Sequence, residues 1–100
     1  FRLDNTTKMI VGRNQDENNM IKALALPNDI VFYAKDHVGP NTLLRGDNVE
    51  SHKQITAAIT LRYSDAPKET PGIVIVEKAN NKSEISINRA EESEYLQYRI

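Results

Sequence analysis

The chain of 100 residues contains no cysteine, which excludes a disulfide framework, a thiolate zinc site, an iron–sulfur cluster and cysteine catalysis. Its four glycines stand singly near turn signals, so a glycine-rich loop that cradles phosphates is not expected. A dominant charge is missing as well: 13 basic against 14 acidic residues leave a formal net charge of −1. That balance argues against a strongly basic chromatin-type binder, though not against a local basic patch. The longest apolar runs, Ile30–Ala34 and residues 73–76, fall far short of the ~20 residues of a membrane span. Nothing in these residues reads as a signal peptide or a lipidation motif. What remains is one ordinary domain, long enough to bury roughly two thirds of its unfolded surface without staples, and expected to be soluble and cytoplasmic. The chain opens on Phe1-Arg2-Leu3 without an initiator methionine and reads as structured from the start. Residues 1–100 are therefore expected to be a single domain excised from a longer protein.

Local signals give an alternation of strands and helices. Phe1-Arg2-Leu3 and Met9-Ile10-Val11, separated by Asp, Asn and Thr, read as a hairpin closed by Gly12, a residue free to take unusual backbone angles. Asn14 and Glu17 have the spacing of a capping box, and Met20, Ile21 and Leu24 recur at helical spacing as a core face. Pro27 stops that helix near Ala25. Ile30–Ala34, apolar throughout, reads as a central strand covered on both faces. Residues 42–45 form a further strand, and Asp47 with Glu50 reads as a second capping box. The helix behind it runs to about Tyr63, burying Ile55, Ala58 and Ile59 with Ala57 and Leu61 flanking. Residues 68–71 are a polar, proline-bounded loop, expected to be the least ordered stretch. Residues 73–76 read as a second buried strand, residues 79–82 as a tight turn in which asparagine takes positive φ, and Ile85 and Ile87 as the inner positions of an edge strand. The tail, residues 95–100, alternates weakly and reads as a last edge strand. The sum is an α+β fold: one domain, a mainly antiparallel sheet and two principal helices.

Catalytic chemistry finds little support. The two histidines, His37 and His52, lack a third partner at metal-ligand spacing. Ser51 and His52 are adjacent, and helical neighbours point about 100° apart. No nucleophile elbow, Walker loop or dinucleotide fingerprint occurs. The chain by itself is not expected to be an enzyme, and no cofactor or metal is implied. Nucleic acid is harder to set aside. Arg13 and Asn14 sit at a strand-to-helix junction, where helix N–H groups favour a phosphate. Lys35, His37 and Asn41 share one loop, with Arg45 just beyond. Tyr33, in so apolar a strand, reads as a core tyrosine rather than a base-stacking ring.

Taken in order, Met9-Ile10-Val11-Gly12-Arg13-Asn14, then Glu17-Asn18-Asn19, then Asp29-Ile30-Val31-Phe32-Tyr33-Ala34-Lys35-Asp36, Gly39-Pro40, Leu43-Leu44-Arg45, an alanine-bearing helix and Tyr63-Ser64 form one pattern. It resembles the NFACT-R family, the RNA-binding module of ribosome-quality-control factors and related proteins, over about residues 1–90. Two positions depart from it: where the larger proteins carry histidine in both halves of the middle motif, this chain has Tyr33 and Asn41. Gly39-Pro40 in place of Gly-Ser is similar to the form fused behind ATP-pyrophosphatase-type tRNA thiouridylases. The resemblance implies a non-catalytic accessory module that holds tRNA or structured RNA for a fused or partner enzyme domain. Carried over by position, it places Arg13, Asn14, Asn18, Lys35, Asp36, Gly39 and Arg45 at the shared positions; with His37 and Asn41 of the same loop, the expected nucleic-acid site is Arg13, Asn14, Asn18, Lys35, His37, Asn41 and Arg45.

Within that set Arg13, Lys35 and Arg45 are the expected phosphate contacts, converging on one exposed surface, with Asn18 and Asn41 as hydrogen-bonding partners. Three such contacts imply a log–log salt slope of about −2 on single-stranded RNA. Replacing Lys35 and Arg45 by alanine is expected to weaken RNA binding while leaving the fold intact. Asn14 and Asp47 also read as helix caps only, and Gly12 and Gly39 as turn residues only. The alternative function is a protein-interaction module that docks on its own enzyme domain or on the ribosome, which the nearly neutral charge favours.

Overall fold

The structure, a computed structural model, describes residues 1–67, 70–79 and 81–98. Five strands form one antiparallel sheet: β1 (Thr7–Val11), β2 (Ile30–Ala34), β3 (Thr42–Gly46), β4 (Gly72–Lys78) and β5 (Asn81–Ile87). Their order across the sheet is β1-β3-β2-β4-β5, so the apolar run of β2 lies in the centre. Helix α1 (Gln15–Leu24) joins β1 to β2, and helix α2 (Lys53–Arg62) joins β3 to β4. The α+β architecture with two main helices is the one expected.

Strand alternation divides the side chains between two faces. Met9, Ile30, Phe32, Leu44, Val74 and Val76 point to one face, where α2 lies. This helix is buried on every side from Thr56 to Leu61, not on one stripe as its periodicity implied. The sheet covers it from one side, while Leu3, Ala66, Ala90 and Tyr95 complete the same apolar cluster from flanking segments. Burial all round requires its hydroxyls to be satisfied. Thr56 donates to the His52 carbonyl at 2.8 Å, and Thr60 lies 2.8 Å from the Thr56 carbonyl and 2.9 Å from the Thr42 hydroxyl.

The opposite face is only partly covered. Helix α1 sets Ile21 and Ala25 against Val31 and Leu43. Met20 and Leu24, expected in the core, are 57% and 61% exposed, because a lone helix on a half-open face has a single line of contact. Ile73 is likewise exposed and Ile75 half-buried on this face, so residues 73–76 are buried on alternate positions only. Tyr33 is half-buried here too, with the Lys22 ammonium 4.7 Å from its ring centre.

Other local expectations change for identifiable reasons. The first strand of the supposed opening hairpin reduces to a single bridge between Arg2 and Lys8. Asp47 does not cap α2. Residues 47–52 form turns, and the N-cap is His52, whose side chain makes no capping bond. The side chains of Asn48 and His52 instead reach Asp4, at 3.0 and 2.9 Å, so a tertiary partner displaces the local cap. In the β4–β5 turn the positive φ, 53°, falls on Ala79; Asn80 lies outside the described residues, as do 68 and 69 of the polar loop and 99 and 100 of the tail. The described part of the tail is not a strand but a short helix, Glu92–Tyr95, followed by a 3₁₀ turn, Leu96–Tyr98, with Tyr95 buried against α2's cluster.

Candidate nucleic-acid interface

One edge of the sheet collects most of the residues singled out from the sequence. The register pairs Val11 with Thr42 and Phe32 with Thr42, so the β1–α1 junction and the loop from Lys35 to Asn41 emerge side by side. The C-terminal end of α2 joins them, since the Asp65 N–H donates to the Val38 carbonyl at 2.7 Å. Between these segments lies an open groove of about 760 Å3, whose lining includes Ile10, Gly12, Arg13, Asn14, Asn18, Val38, Gly39 and Tyr63.

The groove is held in shape by close backbone approaches and amide bonds. The Gly12 N–H donates to the Asn41 carbonyl at 3.0 Å. The Asn41 N–H donates to Asn18 Oδ1 at 2.9 Å, and Asn41 Nδ2 to the Asn18 carbonyl at 3.0 Å. A Cβ on Gly12 would collide with Asn18 Oδ1, and one on Gly39 would lie 2.7 Å from Ser64 Cβ and 2.9 Å from its Cα. Space, rather than backbone angle, is what demands glycine at both positions: neither has positive φ. Ser64 completes the junction by donating to the Leu61 carbonyl at 2.7 Å and accepting the Ala66 N–H at 3.2 Å. Asn18 and Asn41 thus bond one another across the groove floor.

Arg13 and Asn14 enter through the helix cap. Asn14 Oδ1 accepts the Glu17 N–H at 2.9 Å, while the Glu17 carboxylate returns not to the N-cap but to the Arg13 N–H, at 2.8 Å. The same carboxylate meets the Arg13 guanidinium at 3.2 and 3.4 Å. These bonds to Arg13 hold the Glu17 carboxyl below its ordinary range and raise the guanidinium's. The Arg13 side chain is nonetheless 85% exposed, and a pair so open to water is weak, so an incoming phosphate can compete for it.

The three expected phosphate contacts do not converge. Lys35 points to the partly open sheet face, where its ammonium meets Glu84 at 3.0 Å beside a separate cleft lined by Tyr33, Ile75 and Lys82. Hydrogen bonding to Glu84 raises its pKa. Arg45 pairs with Lys8, three register positions from the Val11–Thr42 pair and roughly 10 Å along the strand. Its guanidinium is bound to Asp29, at 2.6 Å from Nη2 and 3.0 and 3.1 Å from Nε. Each of the three cations therefore has an acid partner, and Arg45 lies toward the far end of its strand. His37 is exposed on the loop, beside Asp36 with φ 62°.

Sequence reasoning missed the apolar wall of the groove. Ile10 is 47% exposed, Val38 77% and Tyr63 42%. Alternation along β1 carried the signal for Ile10, since Met9 and Val11 face the core. Tyr63, at the end of a buried helix, does not join the core. Its ring instead lies 5.9 Å from that of Tyr95, which stands edge-on to Phe1 at 6.1 Å.

Among the described residues no cluster of three or more histidines or carboxylates stands ready to hold a metal ion. Ser51 donates to the Asn48 carbonyl and His52 meets Asp4, so these two neighbours are engaged elsewhere. No described helix is long and apolar enough to cross a membrane. The fold is a small α+β domain with a groove at one end of its strands, lined by Gly12, Arg13, Asn14, Asn18, Gly39 and Tyr63. A family model for the NFACT protein RNA binding domain matches residues 1–99, and the chain belongs to that family. Among solved structures it is similar to the C-terminal part of the fibronectin/fibrinogen-binding protein from Streptococcus suis. The TM-score is 0.76 at 18% identity, over 91% of this chain and 45% of that one. At that identity the likeness is one of fold. The chain thus spans under half the length of that structure. No curated protein sequence matches it.

Proposed function

We propose that this domain is a non-catalytic accessory module that holds RNA at the groove between the β1–α1 junction, the β2–β3 loop and the end of α2. The observation that carries the reading is convergence. Gly12-Arg13-Asn14, Asn18, Gly39-Pro40 and Tyr63, far apart in the chain, all line this one groove, and all lie in the segments on which the resemblance to the family was read. Arg13 supplies a phosphate contact and Asn14 a polar edge beside it. Asn18 and Asn41 act by fixing the groove's shape. His37 extends the surface along the loop, while Lys35 stands apart at the second cleft, paired with Glu84. Arg45 acts on the fold through Asp29. In its finer form the proposal is that the RNA is tRNA, presented in the cytoplasm to a fused tRNA-thiolation enzyme domain; the Gly39-Pro40 form of the loop supports this.

The rival reading, a surface that docks on protein, is favoured by the acid partners of Arg13, Lys35 and Arg45. Titrating the domain with bulk tRNA at two salt concentrations separates the two. RNA binding that weakens with salt, and weakens further in Arg13→Glu, is the expected result. With one or two phosphates engaged, the slope is about −0.7 to −1.4 on single-stranded regions. No binding at low salt would leave the docking surface as the function.

A further inference from the structure

We infer that the groove takes an unpaired nucleotide, with its base against Tyr63 and its phosphate toward Arg13, rather than the backbone of an RNA duplex. This rests on the RNA-binding reading above and specifies the form of RNA it accepts. Duplex RNA shows a protein mainly its phosphates and 2′-hydroxyls, so binding it draws on several cations. Among the described residues that line the groove Arg13 is the single basic side chain, and Asp65 lines the same groove. Glu17 already meets that guanidinium. The described lining thus offers a phosphate backbone one guanidinium, already paired with an acid.

What the groove has instead suits a base. Ile10, Val38 and Tyr63 leave large apolar areas exposed within it, and aromatic faces stack any base in a sequence-tolerant way. The Tyr63 ring is set in place beforehand by Tyr95, which Phe1 supports in turn, so little ordering remains for binding to supply. Asn14 and Gln15 stand on the same wall as Arg13, and side-chain amides can both donate to and accept from a base edge. A volume of about 760 Å3 lies within the roughly 300–1,000 Å3 of sites that enclose a small ligand.

The test compares a short single-stranded RNA with a duplex of the same sequence, by fluorescence anisotropy at two salt concentrations. The single strand is expected to bind at least about tenfold more tightly, with a slope near −0.7, as for one phosphate. Tyr63→Ala is expected to weaken it about tenfold or more, the usual loss of one stacked base, whereas Tyr63→Phe retains affinity. Because Tyr63 also packs on Tyr95, Val38→Glu serves as a second variant: Val38 is largely exposed, so the fold is kept while a negative charge enters the groove, and affinity for the single strand falls. Equal binding of duplex and single strand, or a Tyr63→Ala or Val38→Glu protein that binds the single strand as the parent does, overturns the inference and leaves RNA binding standing. Failure of both RNAs to bind at low salt removes the RNA-binding reading itself.

Discussion

Arg45 was expected to touch RNA; in the structure its guanidinium is bound to a buried acid, and substituting it distinguishes the two roles. Its guanidinium donates from Nε and Nη2 to the Asp29 carboxylate, which is only 4% exposed. Asp29 Oδ2 also accepts the Leu26 N–H at 2.8 Å, fastening the turn that brings the chain from α1 into β2. Arg45→Ala leaves this carboxylate buried with that one donor. Removing one partner of a buried pair typically destabilises by about 3–5 kcal/mol. Because the Arg45 side chain is 40% exposed, water reaches part of the vacated space and about 2–3 kcal/mol is the better expectation. In a domain of this length that lowers Tm by roughly 10–20 °C. Burial pushes the Asp29 carboxyl up, but the bonds from Arg45 and Leu26 outweigh it and hold it below its ordinary value. The folded form therefore binds this proton less readily than the unfolded chain, and the pair's stabilisation is present at neutral pH and lost as the pH falls below about 4. The assay is urea unfolding of the parent, Arg45→Ala, Asp29→Asn and the double variant at neutral and acid pH. Asp29→Asn in the Arg45→Ala background should recover part of the loss, because it removes the stranded charge. A midpoint for Arg45→Ala unchanged at neutral pH, together with weakened RNA binding, would refute the reasoning and return Arg45 to the interface.

Two further predictions test the fold around the site. Hydrogen bonds from the Asn48 amide, then from the His52 ring and the Thr6 N–H, hold the Asp4 carboxyl well below the usual carboxylate range. Its contribution to stability is thus present above about pH 4 and fades on acidification; in urea unfolding across that range Asp4→Asn should flatten the acid limb, and an unaltered limb would count against the cluster. On α1, Met20→Gln should shift stability by less than ~0.5 kcal/mol while Ile21→Ala lowers it by about 2 kcal/mol or more, as measured by thermal melts; comparable losses at both positions would restore the core face of Met20, Ile21 and Leu24 implied by helical spacing.

Much of the frame is written locally. Consecutive β-branched and aromatic residues make β2 a strand wherever it lies, Asn14 and Glu17 supply the start of α1, and Pro27 enforces its end. Each works on neighbours a few residues away, which is why these elements are legible from the chain alone. The motif segments were legible too, as a pattern; what they do with one another was not. Gly12 and Gly39 read as turn residues, yet they are small because Asn18 and Ser64 pass close by. Asp47 with Glu50 spelled a cap, yet Asp4, more than forty residues earlier in the sequence, draws Asn48 and His52 into a different turn. The tail alternated like a strand, but Tyr95 finds its place over α2 as part of a helix.

Local signals determined the α+β alternation of strands and helices, and the order of short motifs carried the resemblance to the family. Only the tertiary structure decided that Arg13 stays near the groove while Arg45 serves a buried acid, and that Ile10, Val38 and Tyr63 share one exposed wall. The reason is that propensity acts within a turn or two of chain. The partner of a charge and the neighbour of a ring are set by strand register and by which segments pack side by side, and those distances are not written in the order of residues.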